Sequence, residues 1–284
     1  MNVLEFTLFV GLGGVAAGFL GALTGLGGGV IIIPLLTVGF GVEFHIAAGA
    51  ALVSVIATSS GAAAAYVKEG YSNVRVGMFL EIATTIGALS GAFLSAIVPV
   101  NALAIVFGIV LLVSAYLSRP AHKDEKGTGP SDPLARRLRL DGSYPTPQGW
   151  RHYPVRRVPL GFVLMYVAGV LSGLLGIGSG AFKVLAMDRV MRLPFKVSTT
   201  TSNFMIGVTA AASAGIYLGH GYIRPGVAMP AMLGVLLGAL LGARVLVVAR
   251  LSVLRLVFVA VIVTLALQMI YKGTTGGFSH AVPG

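Results

Sequence analysis

Displaced by 151 positions, this chain matches itself without a gap. Gly18, Gly25, Gly27 and Gly29 fall on Gly169, Gly176, Gly178 and Gly180, and Thr58 and Tyr66 fall on Thr209 and Tyr217. Gly70-Tyr71 falls on Gly221-Tyr222, Gly87-Ala88-Leu89 on Gly238-Ala239-Leu240, and Gly91-Ala92 on Gly242-Ala243. Low-complexity Gly/Ala sequence would supply some of these matches, but not the tyrosines in one shared register. Self-similarity at a fixed offset marks an internal repeat. The fold must therefore be two copies of one plan.

Each copy is a set of five apolar segments. The first set runs over about 3–24, 26–40, 46–67, 76–98 and 102–118; the second over about 159–176, 180–192, 197–218, 225–248 and 253–271. Of the 284 residues, 56% are hydrophobic and 10% charged. A soluble domain carries roughly 25% charged residues, so this chain cannot cover a water-facing globule. The segments predict an all-α integral membrane protein with 8–10 transmembrane helices. Ten-residue alternating strands, the mark of a β-barrel, are absent. The first segment lacks a basic start and a small-residue cleavage site, so it reads as a span and not as a cleaved signal. The expected organisation is a first repeat over 1–118, a basic linker over 119–158, a second repeat over 159–273 and a tail over 274–284.

Charge gives the orientation. The net charge is +11, and nine of the 20 Lys and Arg lie between Arg119 and Arg157. In a soluble protein this would point to nucleic acid; beside membrane spans it is a topology signal, with anionic lipid headgroups as a secondary partner. The alternating loops 68–75, 119–157, 188–196 and 249–255 hold 16 basic residues and the other loops and tail hold two. The remaining two, Lys183 and Arg244, lie inside segments. The basic set is expected in the cytoplasm, which places both termini outside a cell (inner) membrane, gives each half an odd number of crossings, and orients the halves oppositely. Inverted repeats are a recurring plan of secondary transporters. The absence of cysteine excludes disulfides and thiolate catalysis.

The second segment of each half is too short or too interrupted for the ~20 residues of a span. Each follows a glycine cluster, Gly25-Leu26-Gly27-Gly28-Gly29 and Gly176-Ile177-Gly178-Ser179-Gly180. Matched short, glycine-broken segments point to a transporter's binding site. Freed backbone groups cannot face lipid and must line a cavity or bury in protein, and N–H groups at a half-helix start favour an anion. The two clusters are expected to converge on an anionic substrate. Close helix packing is the competing reading; it is preferred for Gly87/Gly91 and Gly234/Gly238/Gly242 and also fits Gly14/Gly18 and Gly169/Gly173.

Polar side chains inside apolar segments are the further candidates. Thr58 and Ser59, with Ser54 less favoured, lie on the third segment, and Thr200, Thr201, Ser202 and Asn203 on its counterpart. Hydroxyls and an amide can donate to an oxyanion without the cost of a full buried charge; alternatively the hydroxyls bond their own helix carbonyls. Lys183 either adds to anion attraction, or snorkels, or pairs with Asp188. Glu81 is read either as the partner of Arg244 in a structural ion pair or as a proton carrier. His45 and His220 are expected in external loops with no function.

The pattern resembles the sulfite exporter TauE/SafE family of anion permeases. The resemblance rests on Gly21-Ala22-Leu23-Thr24-Gly25-Leu26-Gly27-Gly28-Gly29, on Gly173-Leu174-Leu175-Gly176-Ile177-Gly178-Ser179-Gly180 and on Thr200-Thr201-Ser202-Asn203-Phe204. It covers nearly all of the chain outside 119–158. It implies ion-coupled transport of sulfite, sulfonates or related oxyanions. The first half departs from the pattern, with Gly49-Ala50-Ala51-Leu52 opposite Thr200-Thr201-Ser202-Asn203, so the site is expected to be asymmetric.

The reading is thus a secondary transporter of small sulfur-containing anions, with no enzymatic activity, cofactor or metal. Its partners are a small anion and membrane lipid, not nucleic acid; a homo-oligomer is compatible with the sequence. The alternatives are an anion channel, or a transporter of another small carboxylate or oxyanion. An intramembrane serine enzyme is disfavoured because Ile177 breaks the glycine pattern before Ser179, and a pump because no nucleotide motif follows the glycines.

Overall fold

The computed structural model describes residues 2–24, 28–68, 71–117, 130–146, 149–246 and 251–277. The first half contains α1 (Val3–Thr24), α2 (Gly29–Pro34), a π-helical turn (Leu35–Gly39), α3 (Phe44–Lys68), α4 (Val74–Ser95) and α5 (Val100–Leu117). A small connecting unit follows, with α6 (Pro133–Arg137) and the antiparallel hairpin β1 (Gly142–Thr146) and β2 (Gly149–Tyr153). The second half contains α7 (Val158–Leu175), α8 (Gly180–Leu185), a π-helical turn (Ala186–Val190), α9 (Phe195–Gly219), α10 (Pro225–Leu246) and α11 (Leu251–Thr274). Adding 151 to the bounds of α2, its π-turn, α3 and α4 gives those of α8, its π-turn, α9 and α10. The repeat is structural as well as sequential.

The halves interleave. Helix α1 packs along α10 and α4 packs along α7, through contacts that only glycine permits. A Cβ on Gly87 or Gly91 would collide with the carbonyls of Tyr166 and Val170; one on Gly169 or Gly173 would collide with those of Thr84 and Ala88. The other seam repeats this, with Gly14 and Gly18 against Ala231 and Val235, and Gly234 and Gly238 against Gly11 and Val15. Close backbone approach is how membrane helices gain packing energy where lipid supplies no hydrophobic drive. The helix-packing reading of these glycines is therefore the one the structure supports.

Contact registers give the orientation of the halves. Gly108 of α5 lies against Ala266 and Ile270 of α11, and Gly273 of α11 against Asn101 and Ile105 of α5. These repeat-related helices therefore run antiparallel. A twofold along their length would leave them parallel, so the axis lies across them and the repeats are inverted.

Among the described residues, α1, α4, α7 and α10 each carry a stretch long and apolar enough to cross a membrane, with shorter apolar helices over 29–39, 44–60, 100–116 and 259–274. Large apolar side chains point outward along these helices, among them Leu8, Leu12, Ile86, Phe93, Val163, Leu237 and Leu240. Such an apolar exterior suits lipid. The chain is an all-α, multi-pass membrane protein, as the composition predicts.

The connecting segment holds structure that its composition does not announce. Residues 130–146 and 149–157 form a cap over the ends of α4, α7 and the second π-turn. Asp132 caps α6 through the Leu134 N–H (2.9 Å) and reaches the Val158 N–H at the start of α7 (3.2 Å). Asp141 accepts from the Val155 N–H (2.7 Å). Asn73 caps α4 through the Val76 N–H and donates to the Leu140 carbonyl and the Tyr153 hydroxyl, both at 2.9 Å. Burial pushes the Tyr153 phenol up to about 12, so it keeps its proton at neutral pH. Leu140, Tyr153 and Val155 bury against Val76, Leu80, Met187 and Met191 in a second apolar core.

Substituting Gly173→Val should lower stability by about 3 kcal/mol or more, because the added carbons meet backbone that cannot move aside. Gly215→Ala, where a Cβ meets nothing within 4 Å, should instead gain up to ~1 kcal/mol of helix propensity. Thermal unfolding of the detergent-solubilised protein checks both.

Candidate functional site

The second glycine cluster breaks the chain sharply. Helix α7 ends on Gly176 (φ 72°), and Gly178 (φ 71°) and Ser179 (φ 47°) are also left-handed before α8 begins. A non-glycine residue held there costs about 1–3 kcal/mol. Ser179 is buried, and its Oγ has no hydrogen-bond partner. In the first cluster, Gly25 and Gly27 lie outside the described residues, whereas Gly28 and Gly29 are buried at the start of α2.

The two breaks meet on one side chain. A Cβ on Gly29 would come within 2.7 Å of Val55 Cγ2, and one on Gly178 within 3.2 Å of Val55 Cγ1. The Gly178 position also faces Ile206, the repeat counterpart of Val55, at 2.9 Å. Both breaks thus abut the crossing of α3 and α9.

The hydroxyls around this crossing have separate tasks. Ser59 donates to the Asn203 carbonyl (2.6 Å), tying α3 to α9. Ser202 donates to the Gly180 carbonyl (3.2 Å), tying α9 to α8. Thr58 and Thr200 bond carbonyls of their own helices. Thr201 accepts from the Asn73 N–H (3.0 Å) and so supports the α3–α4 connection. The half-buried amide of Asn203 has no hydrogen bond among the described residues. Three further buried hydroxyls, Ser172, Ser198 and Thr199, have no partner. The sequence offered no periodic signal for Ser172 and Ser198.

One charged cluster lies inside the bundle. Lys183 of α8 is completely buried, neither snorkelling to an edge nor aimed at solvent. Its ammonium donates to Thr209 of α9 and lies 3.9 Å from Oε2 of Glu81 on α4. The Thr209 hydroxyl also sits 2.6 Å from Glu81 Oε1 and 3.0 Å from the Met205 carbonyl. Glu81 is itself buried, and its Oε2 has no hydrogen bond. At 3.9 Å the ion pair is too long to be a hydrogen bond, so the ammonium is only partly satisfied. Lys183 thus faces Glu81, while Asp188 lies 4.0 Å from Arg189. The side chain of Arg244, the other partner considered for Glu81, lies outside the described residues.

This cluster breaks the twofold. The repeat counterparts of Lys183, Glu81 and Thr209 are Ile32, Met232 and Thr58. Only one of the two symmetric positions is charged, and it joins the halves. Thr209 was legible only as the partner of Thr58 in the self-match.

His45 and His220 differ from each other. His45 lies in the first turn of α3, buried and hydrogen-bonded on both ring nitrogens, not in a loop. His220 is an exposed residue at the end of α9.

The model of the family described as Sulfite exporter TauE/SafE matches residues 10–269. The chain belongs to the TauE/SafE family. Its relatives include the probable membrane transporter protein YunE of Bacillus subtilis (strain 168), 28% identical over 95% of this chain and 99% of that protein. The probable membrane transporter protein YdhB of the same organism is 28% identical over 81% and 85%. A probable membrane transporter protein of Xylella fastidiosa (strain 9a5c) is 24% identical over 96% and 97%. No solved structure matches the chain. The chain is accordingly a membrane transporter.

Removing Lys183 alone, as Lys183→Met, should cost about 3–5 kcal/mol by stranding a buried carboxylate. The double variant Lys183→Met/Glu81→Leu should recover most of that loss. Thermal unfolding of the four species in a double-mutant cycle measures the coupling.

Proposed function

We propose that this protein is a secondary transporter of small sulfur-containing oxyanions, sulfite and sulfonates in the first place, working by alternating access and coupled to protons. The observation that carries the reading is the buried, partly satisfied ammonium of Lys183 beside the glycine breaks, in a chain of the sulfite exporter family. A fixed cation with hydrogen-bonding capacity to spare suits a compact oxyanion with several acceptor oxygens. Gly25, Gly27, Gly28 and Gly29 on one side, and Gly176, Gly178, Ser179 and Gly180 on the other, would supply backbone N–H groups, with Thr201, whose hydroxyl hydrogen is not committed, and Asn203 adding donors. Thr58, Ser59, Thr200 and Ser202 donate to helix and interhelix carbonyls, and in this reading they shape the site.

Coupling follows from charge balance. An incoming anion competes with Glu81 for Lys183. Once the anion neutralises the ammonium, a lone buried carboxylate is costly, and Glu81 takes up a proton. Anion and proton then cross together in one electrically compact unit. The two seam pairs, α1 with α10 and α4 with α7, each drawing one helix from the repeat over 1–118 and one from that over 159–273, would move against one another about the site. By the positive-inside rule, the linker over 119–158 and the cap face are cytoplasmic, and the termini lie outside an inner membrane. The reading leaves no place for an enzymatic reaction: the buried hydroxyl of Ser179 has no histidine base beside it among the described residues.

Purified protein in proteoliposomes should exchange labelled sulfite and take up sulfonates. Gly178→Leu should insert normally and lose exchange at least tenfold. Glu81→Gln should keep sulfite exchange while losing accumulation driven by a pH gradient. Flux of a cation with none of these anions would overturn the proposal, and single-channel currents indifferent to a pH gradient would favour the anion-channel alternative.

A further inference from the structure

The twofold relates two aromatic contacts at opposite faces of the bundle. At the cap face, the Lys196 ammonium in the first turn of α9 lies 5.0 Å from the ring centre of Tyr71, which precedes α4. At the other face, His45 in the first turn of α3 stacks on Tyr222, which precedes α10, with centroids 4.7 Å apart and planes 21° apart. His45 and Tyr71 are displaced by 151 positions from Lys196 and Tyr222. Each contact joins the start of a crossing helix in one half to the turn before a seam helix in the other. They are one latch built twice, and both are closed in this structure.

The latches differ in chemistry. Lysine keeps its charge at any physiological pH, whereas histidine exchanges a proton between about pH 5 and 8. The surroundings of His45 specify its charged form. Nδ1 is 2.5 Å from Glu43 Oε1 and Nε2 is 3.0 Å from the Ser95 carbonyl. The Glu43 carboxylate already accepts from the backbone N–H groups of His45 and Ile46. Both ring nitrogens therefore face acceptors, and both must carry hydrogen. Burial alone would push the Glu43 carboxyl up, but the hydrogen bonds and charge of His45 outweigh it and hold Glu43 below the usual carboxylate range. The resulting imidazolium lies on the face of Tyr222, a cation–π geometry. The titratable groups around it are Glu43, the phenols of Tyr222 and Tyr217, and His220, which stacks on Tyr222 at 5.7 Å. Glu43 is the acid among them.

We propose that His45 is a proton-binding gate residue, closing the face opposite the cap when protonated and releasing it when the proton leaves. The proposal rests on the alternating-access reading above. The sign is direct. Protonation supplies the second N–H bond and the attraction of the charged ring to Tyr222, so the closed latch is stabilised at acid pH. As pH rises through the histidine's midpoint, the ring keeps one N–H for Glu43, Nε2 turns a lone pair to the Ser95 carbonyl, the charge over Tyr222 goes, and the latch weakens. The Lys196 latch at the cap face does not respond. One face is thus gated by local pH and the other is not.

Because the chain has no cysteine, access can be read without substrate, and so independently of whether sulfite is carried. Ser95→Cys is near-isosteric and buried beneath the His45 latch. In proteoliposomes, a membrane-impermeant thiol reagent is applied from the face opposite the cap at about pH 6 and about pH 9, a window centred above the ordinary histidine midpoint because both ring nitrogens face acceptors. The same cysteine in a His45→Lys background gives the rise due to thiolate ionisation alone. With His45 present, the rise should exceed that by about tenfold or more, one proton allowing at most about tenfold per pH unit. Equal rises in the two backgrounds would overturn the proposal. Tyr222→Leu should label fast at both pH values, beyond the His45→Lys rate; protection at acid pH in this variant would also overturn it.

Discussion

The close contact of glycines with carbonyl oxygens along the α1–α10 and α4–α7 seams underlies everything else in this molecule. Lipid gives apolar helices no reason to prefer one another over the bilayer, so the packing must come from backbone approach. Gly87, Gly91, Gly169 and Gly173 provide it on one side, and Gly14, Gly18, Gly234 and Gly238 on the other. Each seam joins one half to the other. Neither half can therefore place its short second helix without its partner, and the two breaks come together on Val55 because the seams hold them there.

On this symmetric frame the charges are unsymmetric. Lys183, Thr209 and Glu81 occupy one of two equivalent places, and Ile32, Thr58 and Met232 the other. A buried ion pair is weak ground for stability, since desolvation offsets most of its attraction. Here it is also incompletely hydrogen-bonded, with Oε2 of Glu81 unmet. Such a group is better suited to exchanging partners than to holding a fold. The gates follow the same pattern of matched geometry and unmatched chemistry, with His45 where the other face has Lys196.

The repeat, its inversion and the two breaks were legible because each leaves a local or periodic mark: apolar runs, a constant offset, alternating loop charge, dense glycine. The pairing of Lys183 with Glu81 left none. The two residues are far apart in sequence on different helices, and only the α4–α9 and α8–α9 packing makes them neighbours. His45 looked like a loop residue because Gly39 and Gly41 end the preceding segment; α3 in fact starts at Phe44, and its first turn is buried by the other half. The cap escaped notice because its polar composition resembles a linker, while its order comes from single side chains such as Asp132, Asp141 and Asn73 that satisfy backbone groups across the connection. Thr201 also accepts from the Asn73 backbone, a tertiary use that composition cannot show.

The central claim is that an oxyanion sits beside Lys183 where the two glycine breaks meet. Selenite is a sulfite analogue whose selenium can be located by anomalous scattering in crystals of the soaked protein. The account predicts one dominant selenium peak within contact distance of the Lys183 ammonium and of the backbone at Gly178–Gly180, lost in Lys183→Met. A selenium peak at another place in the bundle, or an undiminished peak in that variant, would contradict it.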